Sequence, residues 1–288
     1  MYLTKARLRG FTKTIPNGMK YLSRSIKDKR FSLEDLFLIV FKDITFRKYD
    51  WEGELASLRG GIKLLNQELL GIKPLTIDEF LKHAKLAPSK DESNNSRLGE
   101  LFRSYGSDKS TKNDLHLLYG PLLEIFKEEN EVKVLEIGLG TNNVGIPSNM
   151  GAMGKPGASL FAFSSYLGTR GKIFGADVDA KVLFSAEMIQ TFYVDQLDVD
   201  SLIKLGTKSK EFDLIIDDGL HTFEANINTF LTLLPRLGKN GIIVIEDISP
   251  LPENLILWSM VSEKIFHKGM LSSLVRTSTS MVFVAIRN

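Results

Sequence analysis

Two short acidic stretches follow apolar runs in this sequence. Asp217-Asp218-Gly219-Leu220-His221 comes after Leu214-Ile215-Ile216, and Glu246-Asp247 comes after Val244-Ile245. Carboxylates placed close together repel unless they are protonated or bridged by a cation. A hard divalent ion resolves that conflict, because Mg²⁺ takes oxygen ligands in octahedral geometry and keeps several waters. Asp218, Glu246 and Asp247 are therefore the expected ligands of Mg²⁺ or another divalent cation, with substrate oxygens filling the open positions. His221 is the expected base, since imidazole, with an unperturbed pKa of about 6.5, accepts a proton near neutral pH. Asp218 is counted with it as a catalytic residue. Asp217 reads as a structural partner for backbone N–H groups. The plainer alternative makes Asp218-Gly219 a turn and His221 a helix-cap residue.

A second constellation lies upstream. Val134-Leu135-Glu136-Ile137-Gly138-Leu139-Gly140 gives a strand, then a tight glycine turn. Glycines at 138 and 140 let a backbone approach a ligand closely. The dinucleotide pattern would need a third glycine where Asn143 stands, and an acid about 20 residues on. Asp177 comes much later, after a Gly- and Ser-rich insertion at 144–171. Glu136 before the turn opposes a pyrophosphate and suits a cationic ligand; S-adenosylmethionine carries an ammonium and a sulfonium. Asp177 can accept hydrogen bonds from ribose hydroxyls, and Asp195-Gln196 can meet an adenine edge.

These residues need a scaffold that brings strand ends together. Strand-like runs at 132–137, 172–177, 191–195, 212–217 and 241–247 alternate with helical segments at 115–128, 180–190, 198–206 and 223–236. Such alternation predicts a parallel sheet covered by helices on both faces. In open α/β sheets ligands bind outside the carboxyl ends of the strands, where the winding reverses. The runs 271–277 and 280–288 are too close for a parallel crossover, so they are expected to form an antiparallel hairpin. The fold class expected is α/β, a Rossmann-like, seven-stranded, mostly parallel sheet with that C-terminal hairpin and a helical N-terminal region.

The N-terminal region, 1–97, reads as helical, with capping boxes at Ser32-x-x-Asp35 and Thr76-x-x-Glu79. Gly60-Gly61 interrupts its helical pattern. The polar segment 87–97 reads as a linker to the domain expected over 98–288. Lys plus Arg number 37 against 35 Asp plus Glu in 288 residues, so the net charge of +2 points to no class of partner. Residues 1–30 hold nine Lys or Arg and one acid, Asp28. An oligomer arm, a grip on an anionic substrate and a solvated face all suit that leader, the last being the default. No aromatic interleaving accompanies it, and nucleic acid is not expected as a partner.

The longest apolar run, 36–41, is far shorter than the roughly 18 residues of a membrane helix, so no membrane span is expected. With no cysteine in the chain, disulfides, thiolate zinc sites and cysteine nucleophiles are excluded. That fits a reducing compartment, and the cytoplasm is the expected location.

VLEIGLG, GADVD, VDQLD, DLIIDDGLH and VIEDI, in this order, resemble class I S-adenosylmethionine-dependent methyltransferases. More narrowly they resemble the metal-dependent sugar O-methyltransferases of macrolide biosynthesis. YGSDKSTKNDLHLLYGPLL, 105–123, is similar to a segment common upstream of the fold in that group. The resemblance covers 98–288. It implies metal at Asp218, Glu246 and Asp247, His221 as base, and cofactor contacts at Glu136, Gly138, Asp177, Asp195 and Gln196. Gly140, Asn142 and Asp217 complete the expected cofactor set. Leu220 stands where a small polar residue is usual, and Phe161 where relatives often carry arginine; both bear on substrate identity. Tyr105, Asp108, Lys109, His116 and Tyr119 either close over the cofactor or substrate, or serve as a capping and packing segment. His83 and His267 read as ordinary helix or loop residues, and Trp51 and Trp258 as packing. The implied activity is methylation of a sugar hydroxyl in a glycosylated metabolite or a surface polysaccharide precursor. A phosphoryl-type acceptor, a cephalosporin hydroxylase-like enzyme and a non-catalytic cofactor-binding module stay open.

Overall fold

The structure is a computed structural model that describes residues 73–87, 97–266 and 269–287. The helices expected before residue 73, the Ser32 capping box, Gly60-Gly61, Trp51, the basic leader and His267 lie outside the described residues. Among those described, no helix is long and apolar enough to cross a membrane.

The runs rich in Val, Leu and Ile form the centre of one sheet. β1 is Leu75–Thr76, β2 Val132–Ile137, β3 Gly171–Asp177, β4 Ser185–Ala186 and β5 Ile189–Tyr193. β6 is Phe212–Asp217, β7 Leu237–Ile248, β8 Met270–Arg276 and β9 Met281–Arg287. Their order is β1-β8-β9-β7-β6-β2-β3-β5-β4. The strands β5, β3, β2, β6 and β7 run parallel, and β9 runs antiparallel to both β7 and β8. The expected C-terminal hairpin is thus present. The sheet has nine strands among the described residues rather than seven; the extra two, β1 and β4, are two-residue strands at its edges.

The helices are α1 (Ile77–His83), α2 (Arg97–Tyr105), α3 (Leu115–Glu124), α4 (Ala158–Leu167), α5 (Val199–Gly206), α6 (Phe223–Leu233) and α7 (Pro252–Phe266). α1 opens on the expected capping box: Glu79 N donates to Thr76 Oγ1 at 3.2 Å, and Thr76 N donates to Glu79 Oε2 at 2.8 Å. Residues 73–250 and 265–288 make one compact unit, and residues 251–264, most of α7, fall outside it.

One sequence expectation fails locally. The segment 180–190 is not a helix: a 3₁₀ turn over Ala180–Val182 is followed by β4 and the start of β5. Ser185 pairs with Gln190, and Thr191 Oγ1 accepts from Phe184 N at 2.6 Å, so cross-strand pairing overrides the helical pattern. The Gly- and Ser-rich stretch 144–171 contains α4, opened by Gly157 at φ 74°.

Register decides which side chains meet. Glu136 lies beside Ile216, and Ile216 beside Val244. Side chains alternate along a strand, so residues two positions on share the face. Glu136, Asp218 and Glu246 therefore project from one face, over which α3 and α4 pack with Tyr119 and Phe163 in the core. Asp217 projects from the other, toward α6.

Candidate active site

A cavity of about 230 Å³ opens at the carboxyl ends of the parallel strands, lined by Gly138, Gly140, Asp177, Asp195, Gln196 and Asp218 among others. The turn after β2 needs its glycines. Gly138 has φ 92°, and a Cβ there would come within 2.0 Å of Asp218 O. Gly140 has φ 79°, and a Cβ would fall 2.2 Å from Met150 Sδ. Gly138 N donates to Ala176 O at 2.8 Å, and Asp218 N to Ile137 O at 2.8 Å, which fixes the three strand ends together.

Five of the expected cofactor residues line this cavity: Gly138, Gly140, Asp177, Asp195 and Gln196. Several are already committed inside the protein. Asp177 Oδ2 accepts from Leu139 N and Oδ1 from Asp179 N, both at 2.8 Å, so this carboxylate braces the glycine turn as well as walling the cavity. Gln196 Nε2 donates to Asp217 Oδ1 at 2.7 Å and to Thr229 Oγ1 at 2.9 Å, while its Oε1 accepts from Leu220 N at 2.8 Å. Asp195 Oδ1 accepts from Leu197 N at 2.9 Å.

Glu136, Asn142 and Asp217 are not among the lining residues. Glu136 is fully buried and accepts from Ser159 Oγ at 2.6 Å. Asn142 Nδ2 holds the loop that follows, donating to Gly151 O at 2.5 Å and Gly154 O at 3.0 Å. Asp217 accepts from Gly219 N at 3.2 Å, the backbone contact expected of it. Burial pushes its carboxyl up to about 6.

The acids converge on a lysine. Lys109, only 2% exposed, places Nζ 2.7 Å from Asp218 Oδ2, 2.7 Å from Glu246 Oε1 and 3.2 Å from Glu136 Oε1. Tyr119 donates its hydroxyl to the same Glu246 oxygen at 2.5 Å. Burial raises the Glu246 carboxyl, the Asp218 charge raises it further, and Lys109 opposes both. The sequence raised Lys109 and Tyr119 only as members of the 105–123 segment. Nothing in local pattern says that a lysine will be buried against strands more than a hundred residues away.

Beside this cluster, ligand atoms of Asp218, His221 and Asp247 all lie within 4.8 Å of one another. His221 Nε2 is 3.9 Å from Asp218 Oδ1, and its Nδ1 is buried without a hydrogen-bond partner. His221 and Asp247 are non-glycine residues at φ 59° and 49°. Such backbone costs on the order of 1–3 kcal/mol and recurs at functional sites. The cause at Asp247 is visible: pairing of β7 with β9 shifts register between Ile245 and Ile248. That irregularity re-aims one residue of the strand. Of the three acids expected as ligands, Asp218 and Asp247 thus come together with His221, while Glu246 lies behind them on Lys109 and Tyr119. The two carboxylates at this spacing fit a divalent cation, with the imidazole beside them.

The fold is that of a methyltransferase. Residues 151–248 match the family model described as a methyltransferase domain. The MycE methyltransferase from the mycinamycin biosynthetic pathway, solved with Mg, SAH and mycinamycin VI, superposes with a TM-score of 0.52 and 25% identity, over 67% of this chain and 55% of that one.

Sequence comparison leads to the same kind of protein. The 8-demethyl-8-alpha-L-rhamnosyl tetracenomycin-C 2'-O-methyltransferase of Streptomyces olivaceus is 30% identical over 52% of this chain and 37% of its own length. The demethylmacrocin O-methyltransferase of Streptomyces fradiae is 35% identical over 41% of this chain and 28% of its own. The chain therefore spans well under half the length of these curated relatives.

Proposed function

We propose that this chain is an S-adenosylmethionine-dependent, divalent-metal-dependent O-methyltransferase whose acceptor is a sugar hydroxyl of a glycosylated metabolite. One observation carries the reading: Asp218 is at once a wall of the glycine-turn cavity and a member of the Asp218, His221, Asp247 group. A donor site and an acceptor site that share a residue can bring two reactants together, and positioning supplies much of the rate in such transfers. The relative named for 2'-O-methylation of a rhamnosyl tetracenomycin supports the choice of acceptor.

In this reading Asp218 and Asp247 hold the cation, with Glu246 next to them. The ion supplies Lewis acidity toward an acceptor hydroxyl. His221 takes the acceptor proton at Nε2, the nitrogen that faces Asp218. Gly138 and Gly140 let the turn fold closely against Asp218 and Met150, and with Asp177 and Asp195 they edge the cavity for the methyl donor. Gln196 acts through Asp217 and the Leu220 N–H, shaping the loop that ends in His221.

The test is transfer of a labelled methyl group from S-adenosylmethionine to a panel of glycosides and nucleotide sugars, with Mg²⁺ and with a chelator. Transfer to a sugar hydroxyl that stops on chelation is expected. Transfer that persists unchanged in the chelator would remove the metal from the mechanism, and failure with every sugar would remove the acceptor class.

A further inference from the structure

We propose that Lys109 is the resident cation of this acid cluster, holding Asp218 and Glu246 together without a divalent ion and competing with that ion for Asp218. The inference rests on the ion site proposed above. A lysine is almost never fully buried unless paired. Here one ammonium meets acids from three adjacent strands, Glu136 on β2, Asp218 just after β6 and Glu246 on β7, at 3.2, 2.7 and 2.7 Å. An ammonium has three donors, and this one faces three carboxylates.

The turn that carries Lys109 is anchored independently of those acids. Ser110 Oγ donates to Gly99 O at 3.0 Å, and Ser278 Oγ donates to Lys112 O at 3.2 Å. Thr279 Oγ1 also bonds to Asn113 Oδ1. The lysine is thus delivered to the cluster by the fold.

Its consequence for a divalent ion follows from charge. Lys109 already takes one oxygen of Asp218 and one of Glu246. An added dication would share Asp218 with a fixed positive charge a few ångströms away, and like charges so placed disfavour one another. The ammonium therefore weakens the ion's hold, while removing any need for the ion to keep the buried acids from repelling. The cluster can then fold without the ion.

Mn²⁺ binding to the full chain, read by titration calorimetry, tests this together with thermal unfolding in chelator and in Mn²⁺. Lys109→Met should bind Mn²⁺ at least about tenfold more tightly than wild type. Its melting temperature should rise more on adding Mn²⁺ than that of wild type does at the same concentration. Should Lys109→Met fail to fold even with Mn²⁺, Lys109→Gln, which keeps one donor for Glu246 and removes the charge, replaces it with the same expected direction. Equal or weaker Mn²⁺ binding in a folded variant, beside a wild type that binds the ion, overturns the role of Lys109 alone. A wild type that binds S-adenosylhomocysteine but no Mn²⁺, while neither variant binds it, overturns the ion site and this proposal with it.

Discussion

Tyr119 donates its hydroxyl to Glu246 across 127 positions of sequence, and neither residue is more than 1% exposed. A helix that precedes the parallel strands β2, β3, β5, β6 and β7 thereby reaches the carboxyl end of the last of them. Removing the donor leaves a buried carboxylate with one partner fewer, which typically costs about 1–3 kcal/mol. Tyr119→Phe should therefore unfold at lower denaturant with an unchanged slope. A midpoint equal to that of wild type would show that Glu246 does not depend on this hydroxyl.

Gly138 has no room for a side chain. Its φ of 92° and the Asp218 carbonyl 2.0 Å from a built Cβ act together. Gly138→Ala should destabilise the fold by ~2 kcal/mol or more, since alanine is strained at positive φ even without the clash. Binding of S-adenosylhomocysteine, measured by calorimetry at a temperature where the variant is folded, should weaken by tenfold or more. Wild-type affinity in the variant would mean that the donor does not use this turn.

His221→Ala separates chemistry from binding. General bases typically contribute on the order of 10²–10⁴-fold. Turnover should fall within that range while affinity for S-adenosylhomocysteine stays within about twofold, because His221 is not among the residues lining the cavity. Unchanged turnover would remove the imidazole as proton acceptor.

Asp213, near the start of β6, gives a pH test remote from the acid cluster. Its Oδ2 accepts from Lys133 N at 2.7 Å, yet burial outweighs that bond and raises its carboxyl above the ordinary value. Between the unfolded pKa, about 3.9, and the raised folded value, the native state binds more protons. The contribution of Asp213 to stability therefore falls as pH rises through that window. Asp213→Asn keeps the acceptor and abolishes the titration. The stability of wild type minus that of the variant, from urea unfolding at a series of pH values, should decrease with pH across the window and level off above it. An increase there would contradict the raised value.

Much of the sheet was legible because buried parallel strands read as apolar runs. Val132–Ile137 and Phe212–Asp217 have the limits their composition gives them. Residues 185–190 did not, because β4 and β5 pair through a short connection whose sequence also suits a helix. At the site, the strand-end acids were legible as types at positions. Their division of labour was not: Asp177 and Gln196 spend their polar atoms on neighbouring backbone and side chains, contacts that no local spacing reveals.

Glycines at 138 and 140, carboxylates at 136, 177, 218, 246 and 247, and a histidine at 221 are properties of the chain alone, and so is the alternation that makes a parallel sheet of it. Tertiary structure decided which of them meet. Strand register put Glu136, Asp218 and Glu246 on one face. A register shift turned Asp247, next along the strand, toward Asp218 and His221. A turn far upstream supplied the ammonium that holds the first three together. The reason is physical: alternation is written in neighbouring residues, whereas the partner of a buried charge is fixed only when distant segments pack.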